Sequence, residues 1–274
     1  MKISIITVLN NNYDTLKYSI NSVNNQKYKN FEHIIVVNGR NLDTLSILEN
    51  YAHLHIIHLK MKHSFYNAIN LGIRAAAGDI IFLLDSISYL SDENVLNEIE
   101  LKFQNNNIDG IIGTIAYQES HTYAKVIRVY EPSIFKSRIY SPYGALVLRS
   151  NVYKNYCNFN NEYEINSDID LLLRLKFKFN LNIIPTNLIL SYSLNKSLIY
   201  SRYFVQNTSE QEYRKILISN KYKNKFSMLW AFKIYKLMEY IIPFFSIRWL
   251  IATPPSVDTK SYLYNGKVKL FELQ

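Results

Sequence analysis

The stretch from His63 to Ser91, HSFYNAINLGIRAAAGDIIFLLDSISYLS, decides the architecture. Its first part reads as a helix in which Phe65, Ile69 and Ile73 recur at four-residue spacing, while Ala68, Ala75 and Ala76 are small enough for close approach to a sheet. Gly78 stops that helix and the chain restarts at once as the apolar strand Ile80 to Leu84. The expectation is that glycine is needed there for unusual backbone angles. The strand runs onto Asp85 and Ser86, and in an open α/β sheet the carboxyl ends of strands are where ligands bind.

Working outward, apolar runs at Ile3 to Leu9, His33 to Val37 and Leu54 to Leu59 alternate with helical patterns over Asp14 to Asn24 and Leu42 to Tyr51. Such alternation predicts βαβ units and a mostly parallel central sheet flanked by helices. Right-handed crossovers then bring Leu9 to Asn12, Asn38 to Arg40 and Asp85 to Ser88 to one edge of the sheet, where they can share a pocket. From Asp109 the pattern changes to short extended pieces, Ile111 to Tyr117, Lys125 to Val129 and Ala145 to Leu148, which predict a mixed sheet region. A helix follows over Ser167 to Phe179, with Ile169, Leu173 and Phe177 on one side and Leu172 and Leu175 widening the apolar stripe. The expected organisation is an α/β domain over residues 1–205, divided near residue 100, and a helical tail over 206–274.

A chain of 274 residues with 48% hydrophobic content can bury a large core. Lys and Arg (31) exceed Asp and Glu (22), and the net charge of +9 favours an anionic partner: a phosphorylated substrate, an acidic membrane surface or nucleic acid. Basic residues are scattered and no nucleic-acid module is visible, so nucleic acid is not the expected partner. There is no P-loop, GxGxxG or nucleophile elbow. His53 and His55 share a face of one expected strand and His58 does not, which argues against a three-histidine metal site.

Cys157 is the single cysteine, so it reads as a structural residue of a reducing compartment. The run Ile3 to Leu9 is too short for a secretory signal, and no stretch is apolar enough to span a bilayer. A cytoplasmic protein is expected. Its tail mixes aromatic residues such as Phe226, Trp230 and Phe232 with Lys221, Lys223, Lys225, Lys233 and Lys236. That pattern suits a bilayer interface, giving peripheral contact with the inner face of the membrane, and equally suits packing on the domain or on another subunit.

Four segments share one resemblance: SIITVLNNNYDTLKYSINSVNNQKYKNFEHIIVVNG at Ser4 to Gly39, FYNAINLGIRAAAGDIIFLLDS at Phe65 to Ser86, SPYGALVLRSNVYKNYCNF at Ser141 to Phe159 and NSDIDLLLRL at Asn166 to Leu175. In this order and spacing the chain resembles the inverting family 2 glycosyltransferases of bacterial surface polysaccharides, the O-antigen and colanic-acid type. The resemblance implies the Rossmann-like GT-A fold with an acceptor-side mixed sheet. It also implies a nucleoside-diphosphate sugar as donor and a lipid-linked glycan as acceptor, with a divalent cation (Mn2+ or Mg2+) as the usual cofactor.

Carried over residue by residue, Thr7 to Asn10 match the strand end that cradles the nucleotide base. Asn38 and Asn67 stand at positions where the family carries acids. Asn38 keeps a carbonyl acceptor but loses the charge, and it also suits a turn before Gly39. Asp85 and Ser86 match the first positions of the metal motif, but Ile87 and Ser88 fall on its acidic ones. Asp85 is therefore the one carboxylate of the motif left; it could hold a cation together with substrate phosphates and water, at an affinity expected to suffer. Lys60, Lys62, Arg74 and Arg202 could neutralise a diphosphate in its place.

Asp168 matches the general base, Asp170 is a second acid nearby, and Tyr143 could stack on an acceptor sugar or fill the core. Locally, Ser167 and Asp170 have the S-x-x-D spacing of a capping box, a competing account of both acids. Two functions follow: a sugar transferase, or a catalytically degenerate protein of the same fold serving as a binding subunit in polysaccharide assembly.

Overall fold

The computed structural model describes residues 1–9, 13–39, 48–119, 126–130, 144, 146–156, 158–163 and 167–193, with isolated positions at 212, 215, 216 and 218. Asn10, Tyr143, Cys157, Arg202, most of the helix expected at Leu42 to Tyr51 and nearly all of the tail over 206–274 lie outside these residues.

Among the described residues nine strands form one sheet in the order β3-β2-β1-β4-β8-β6-β9-β5, with β7 paired to β6. The parallel half is β1 (Ile3–Leu9), β2 (Phe31–Asn38), β3 (His55–Leu59) and β4 (Ile80–Leu83). The other half is mixed: β5 (Ser88–Leu90), β6 (Gly110–Glu119), β7 (Val126–Tyr130), β8 (Leu146–Arg149) and β9 (Ile183–Ser193). There β8 pairs antiparallel to both β4 and β6, while β9 runs parallel to β6 and antiparallel to β5. No helix among the described residues is long and apolar enough to cross a membrane.

Side chains alternate across β1 as period two requires. Ile6 and Val8 face the layer of α2 (Phe65–Ala75), whereas Ile3 and Ile5 face α3 (Val95–Phe103) and Leu9 faces α1 (Tyr13–Asn24). Every residue of β1 is buried, as befits a central parallel strand covered on both faces. The helix over 167–179 departs from its expected form: α5 (Ser167–Leu173) passes into a π-helical turn over Arg174–Lys178, and Asn180 at φ 53° closes it. α4 (Ser150–Tyr156) precedes it.

Gly78 is needed for a different reason from the one its position suggested. Its φ is not positive; a Cβ there would stand 2.5 Å from Ser4 Oγ and 2.7 Å from Ser4 N. Gly78 N donates instead to Ser4 Oγ at 2.8 Å, so the chain leaving α2 passes directly against β1. The glycine that does use a left-handed conformation is Gly39, at φ 109°, just past β2.

Beneath α1 a polar pair interrupts the core. Thr7 Oγ1 and His33 Nε2 lie 3.1 Å apart, both fully enclosed. Burial, with His53 nearby as a second cationic site, pushes the His33 imidazole down from 6.5 to about 3. The unfolded chain takes up this proton near pH 6.5 and the folded one does not until about 3. Stability is therefore full above the higher value and falls as pH descends between the two, at up to about 1.4 kcal/mol per pH unit. Urea titrations from pH 7 to 4.5 are expected to show that slope, and His33→Gln to remove this component of it.

Candidate active site

β1 is flanked by β2 on one side and β4 on the other, all parallel, so their carboxyl ends border one crevice. Asn38 closes β2 at this edge. Its side chain holds the loop after β3 at both ends: Nδ2 donates to His63 O and Oδ1 accepts from His63 N, each at 2.9 Å. An amide can do both, whereas an ionised carboxylate can only accept and would face the carbonyl with its charge. Asn38 therefore acts here as a long-range backbone partner for His63, a role distinct from a local turn before Gly39.

The same loop starts α2. Ser64 caps the helix, its Oγ accepting from Asn67 N at 3.2 Å, and Asn67 Nδ2 donates to His63 Nδ1 at 3.1 Å. Lys60 and Lys62 sit in this loop, at the crevice edge. Arg74 does not join them. It lies in the last turn of α2, at the opposite edge of the sheet, where the chain returns to Ser4.

At the end of β4 the chain turns tightly. Ser88 N donates to Asp85 O at 2.9 Å, and Thr15 of α1 donates to Ser86 O at 3.1 Å. Ile87 and Ser88 are each only 3% exposed, so the residues on the acidic positions of the metal motif are built into the interior. Among the described residues no group of three His, Cys, Asp or Glu could hold a metal ion. Asp85 supplies one carboxylate at this edge, and a divalent cation at a diphosphate site takes one or two carboxylates, with substrate phosphates and water completing its shell. The residues present would leave most of that shell to the diphosphate and water. Thr7 pairs with His33 at 3.1 Å, both side chains buried.

Asp168 opens α5 and is 1% exposed. Its Oδ1 accepts from Tyr66 of α2 at 3.2 Å and from Ile169 N at 2.9 Å. Tyr66 stacks on Phe159, with centroids 5.4 Å apart and planes at 15°. Asn70, one turn along α2, repeats the Asn38 device: Nδ2 donates to Phe159 O at 2.9 Å and Oδ1 accepts from Phe159 N at 3.0 Å. Asp170 faces Arg174, whose Nε donates to it at 2.7 Å while Nη2 donates to Asn158 O. The capping box is not formed, since Ser167 Oγ is buried without a hydrogen bond. Asn38, Asn67 and Asp168 are thus brought together through the start of α2, with Asp85 and Ser86 at the neighbouring strand end. Tyr66, His63 and Asn70 were not singled out from the sequence. The one signal for Tyr66 and Asn70 was polar groups spaced through FYNAIN on a mostly apolar helix, and His63 had none.

Asn38→Asp is expected to lower the unfolding free energy at pH 7 by about 1 kcal/mol or more, because the donor to a part-buried carbonyl is lost. The gap from the parent should narrow near pH 3.5, where the protonated carboxyl regains a donor, in parallel denaturation curves.

The description "Glycosyl transferase family 2" matches residues 4–159. No curated protein matches the chain. Among solved structures it is similar to S. aureus TarS, with TM-score 0.64 and 15% identity over 88% of this chain and 44% of that one. TarS 1-349 in complex with UDP-GlcNAc gives TM-score 0.66 and 17% identity, covering 88% of this chain and 73% of that one. The mannosyltransferase PcManGT from Pyrobaculum calidifontis, in complex with GDP-Man and Mn2+, gives 0.62 and 10%, covering 96% and 81%. The chain thus spans less than half of the first of these structures. These likenesses carry the fold, the GT-A architecture of a central sheet flanked by helices. With more than half of its length matched, the chain belongs to glycosyl transferase family 2.

Proposed function

We propose that this protein transfers a sugar from a nucleoside-diphosphate sugar to a hydroxyl group of a glycan acceptor, with inversion at the anomeric carbon. The observation that carries the reading is Asp168, a carboxylate held at the start of α5 beside the crevice of the parallel half-sheet. In the reaction Asp168 takes the acceptor hydroxyl proton as the oxygen bonds to the anomeric carbon. The bond from that carbon to the diphosphate breaks on the opposite face, and the nucleoside diphosphate leaves with the electron pair. The nucleotide lies at the carboxyl ends of β1, β2 and β4, bordered by Asn38, Asn67, Asp85 and Ser86. Lys60 and Lys62 supply positive charge at that edge, and no step is routed through a cation.

Membership of the family and the nucleotide sugars in the similar structures, UDP-GlcNAc and GDP-Man, support a nucleotide-sugar donor. The basic charge of +9 supports an acceptor carried on lipid at an anionic membrane face, in surface-polysaccharide synthesis. The transferred group is a hexosyl or N-acetylhexosaminyl residue. A second reading, a binding subunit in polysaccharide assembly without turnover, draws on the absent acids at Asn38, Asn67, Ile87 and Ser88.

The test is calorimetric binding and turnover across a panel of UDP-, GDP- and dTDP-sugars with lipid-linked glycan acceptors, each with and without manganese. Asp168→Asn is expected to cut turnover by about 100- to 10,000-fold while donor affinity stays within about twofold. Full turnover in Asp168→Asn removes the base assignment, and donor binding without turnover by the parent selects the second reading.

A further inference from the structure

The geometry points to Tyr66 as a positioning residue that holds Asp168 in the orientation and ionised form in which it takes the acceptor proton. The inference rests on the reading of Asp168 as general base. Tyr66 is 4% exposed and lies 102 residues away in sequence, on the helix that also borders the nucleotide edge. Its hydroxyl and Ile169 N converge on one carboxylate oxygen, Oδ1. Two donors on one oxygen fix rotation about the carboxyl bond, and both hydrogen bonds are strongest to its charged form.

The phenol ring is itself held on two sides. It is stacked on Phe159 and meets Phe65 edge-on at 5.6 Å and 67°. Phe159 in turn is fixed through both of its backbone polar groups by Asn70. Tyr66 and Asn70 both belong to α2, so one rigid helix sets the phenol and the loop against which it packs. The phenol keeps its proton throughout. It donates to Asp168 before transfer, and the proton that moves comes from the acceptor hydroxyl. Ionisable side chains on the elements packed around this cluster include Tyr153 of α4, whose ring stacks on Phe159, and the mutually neutralised Asp170–Arg174 pair.

A buried tyrosine also needs a hydrogen-bond partner for plain structural reasons. The experiment therefore reads the carboxylate itself. Protein with 13C-labelled aspartate carboxyls is titrated by NMR, with the Asp168 signal assigned from its absence in Asp168→Asn. Tyr66→Phe keeps the ring and its stack, and is expected to move the Asp168 titration up by about one pH unit. With any donor turned over by the parent, the acid limb of kcat/KM should move up with it and kcat fall about 10- to 100-fold, at unchanged donor KM. Phe159→Leu, which loosens the stack but keeps the hydroxyl, should lower the melting temperature and leave the titration in place.

In an Asp168→Asn background, Tyr66→Phe should have no further effect on the residual rate. An unmoved Asp168 titration in Tyr66→Phe overturns the proposal, and so does an additive double variant. If Asp168→Asn keeps full turnover, the base assignment falls and this proposal with it. If Asp168→Asn is inactive while Tyr66→Phe matches the parent in titration and kcat, this proposal alone falls.

Discussion

The close seating of α2 on β1 and β2 is the constraint from which the site follows. At Gly72 a Cβ would come within 2.6 Å of Ile6 Cγ2 and 3.1 Å of Val36 Cγ2, so the helix lies nearer the sheet than any side-chain-bearing residue would permit. Ala68, fully buried one turn earlier, continues the same contact. At that depth the first turns of α2 reach sideways as well as down: Asn67 to the loop after β3, Tyr66 to Asp168 and Asn70 to Phe159. A single eleven-residue helix thereby joins the carboxyl ends of the parallel strands to Asp168 of α5.

Asparagine does at this edge what a β-strand partner does elsewhere. Asn38 and Asn70 each satisfy the N–H and the C=O of one loop residue, His63 and Phe159, with the two ends of an amide. Buried backbone groups must find partners, and irregular loops lack a ladder to supply them. Asn67 has local bonding of its own as well, to His63. At position 87 the side chain is apolar and folded inward.

The parallel half of the sheet was legible because its strands are short apolar runs separated by amphipathic helices, each a local pattern. The reason for Gly78 was not, since its constraint is the atoms of Ser4, brought there by folding rather than by the local chain. β5 has three residues and β9 carries Pro185, with register shifts against β6, so neither shows a clean alternation. Local spacing at Ser167 to Asp170 matched a capping box that the structure does not make, whereas the family resemblance drew attention to Asp168. Tyr66 escaped notice because its partner is remote in sequence, and a helical pattern registers an aromatic only as apolar.

The strand order has a consequence for how the chain is made. β5 follows β4 by a few residues, yet it pairs with β9 at the far end of the sheet, and the side of β4 away from β1 waits for β8. A nascent chain that has emerged through α3 therefore carries a four-stranded parallel sheet with an open edge on β4 and a β5 segment without a ladder. Exposed strand edges of this kind recruit strands from other molecules. Completion depends on residues 146–149 and 183–193 arriving first, and a ribosome stalled between these points would release a species prone to self-association.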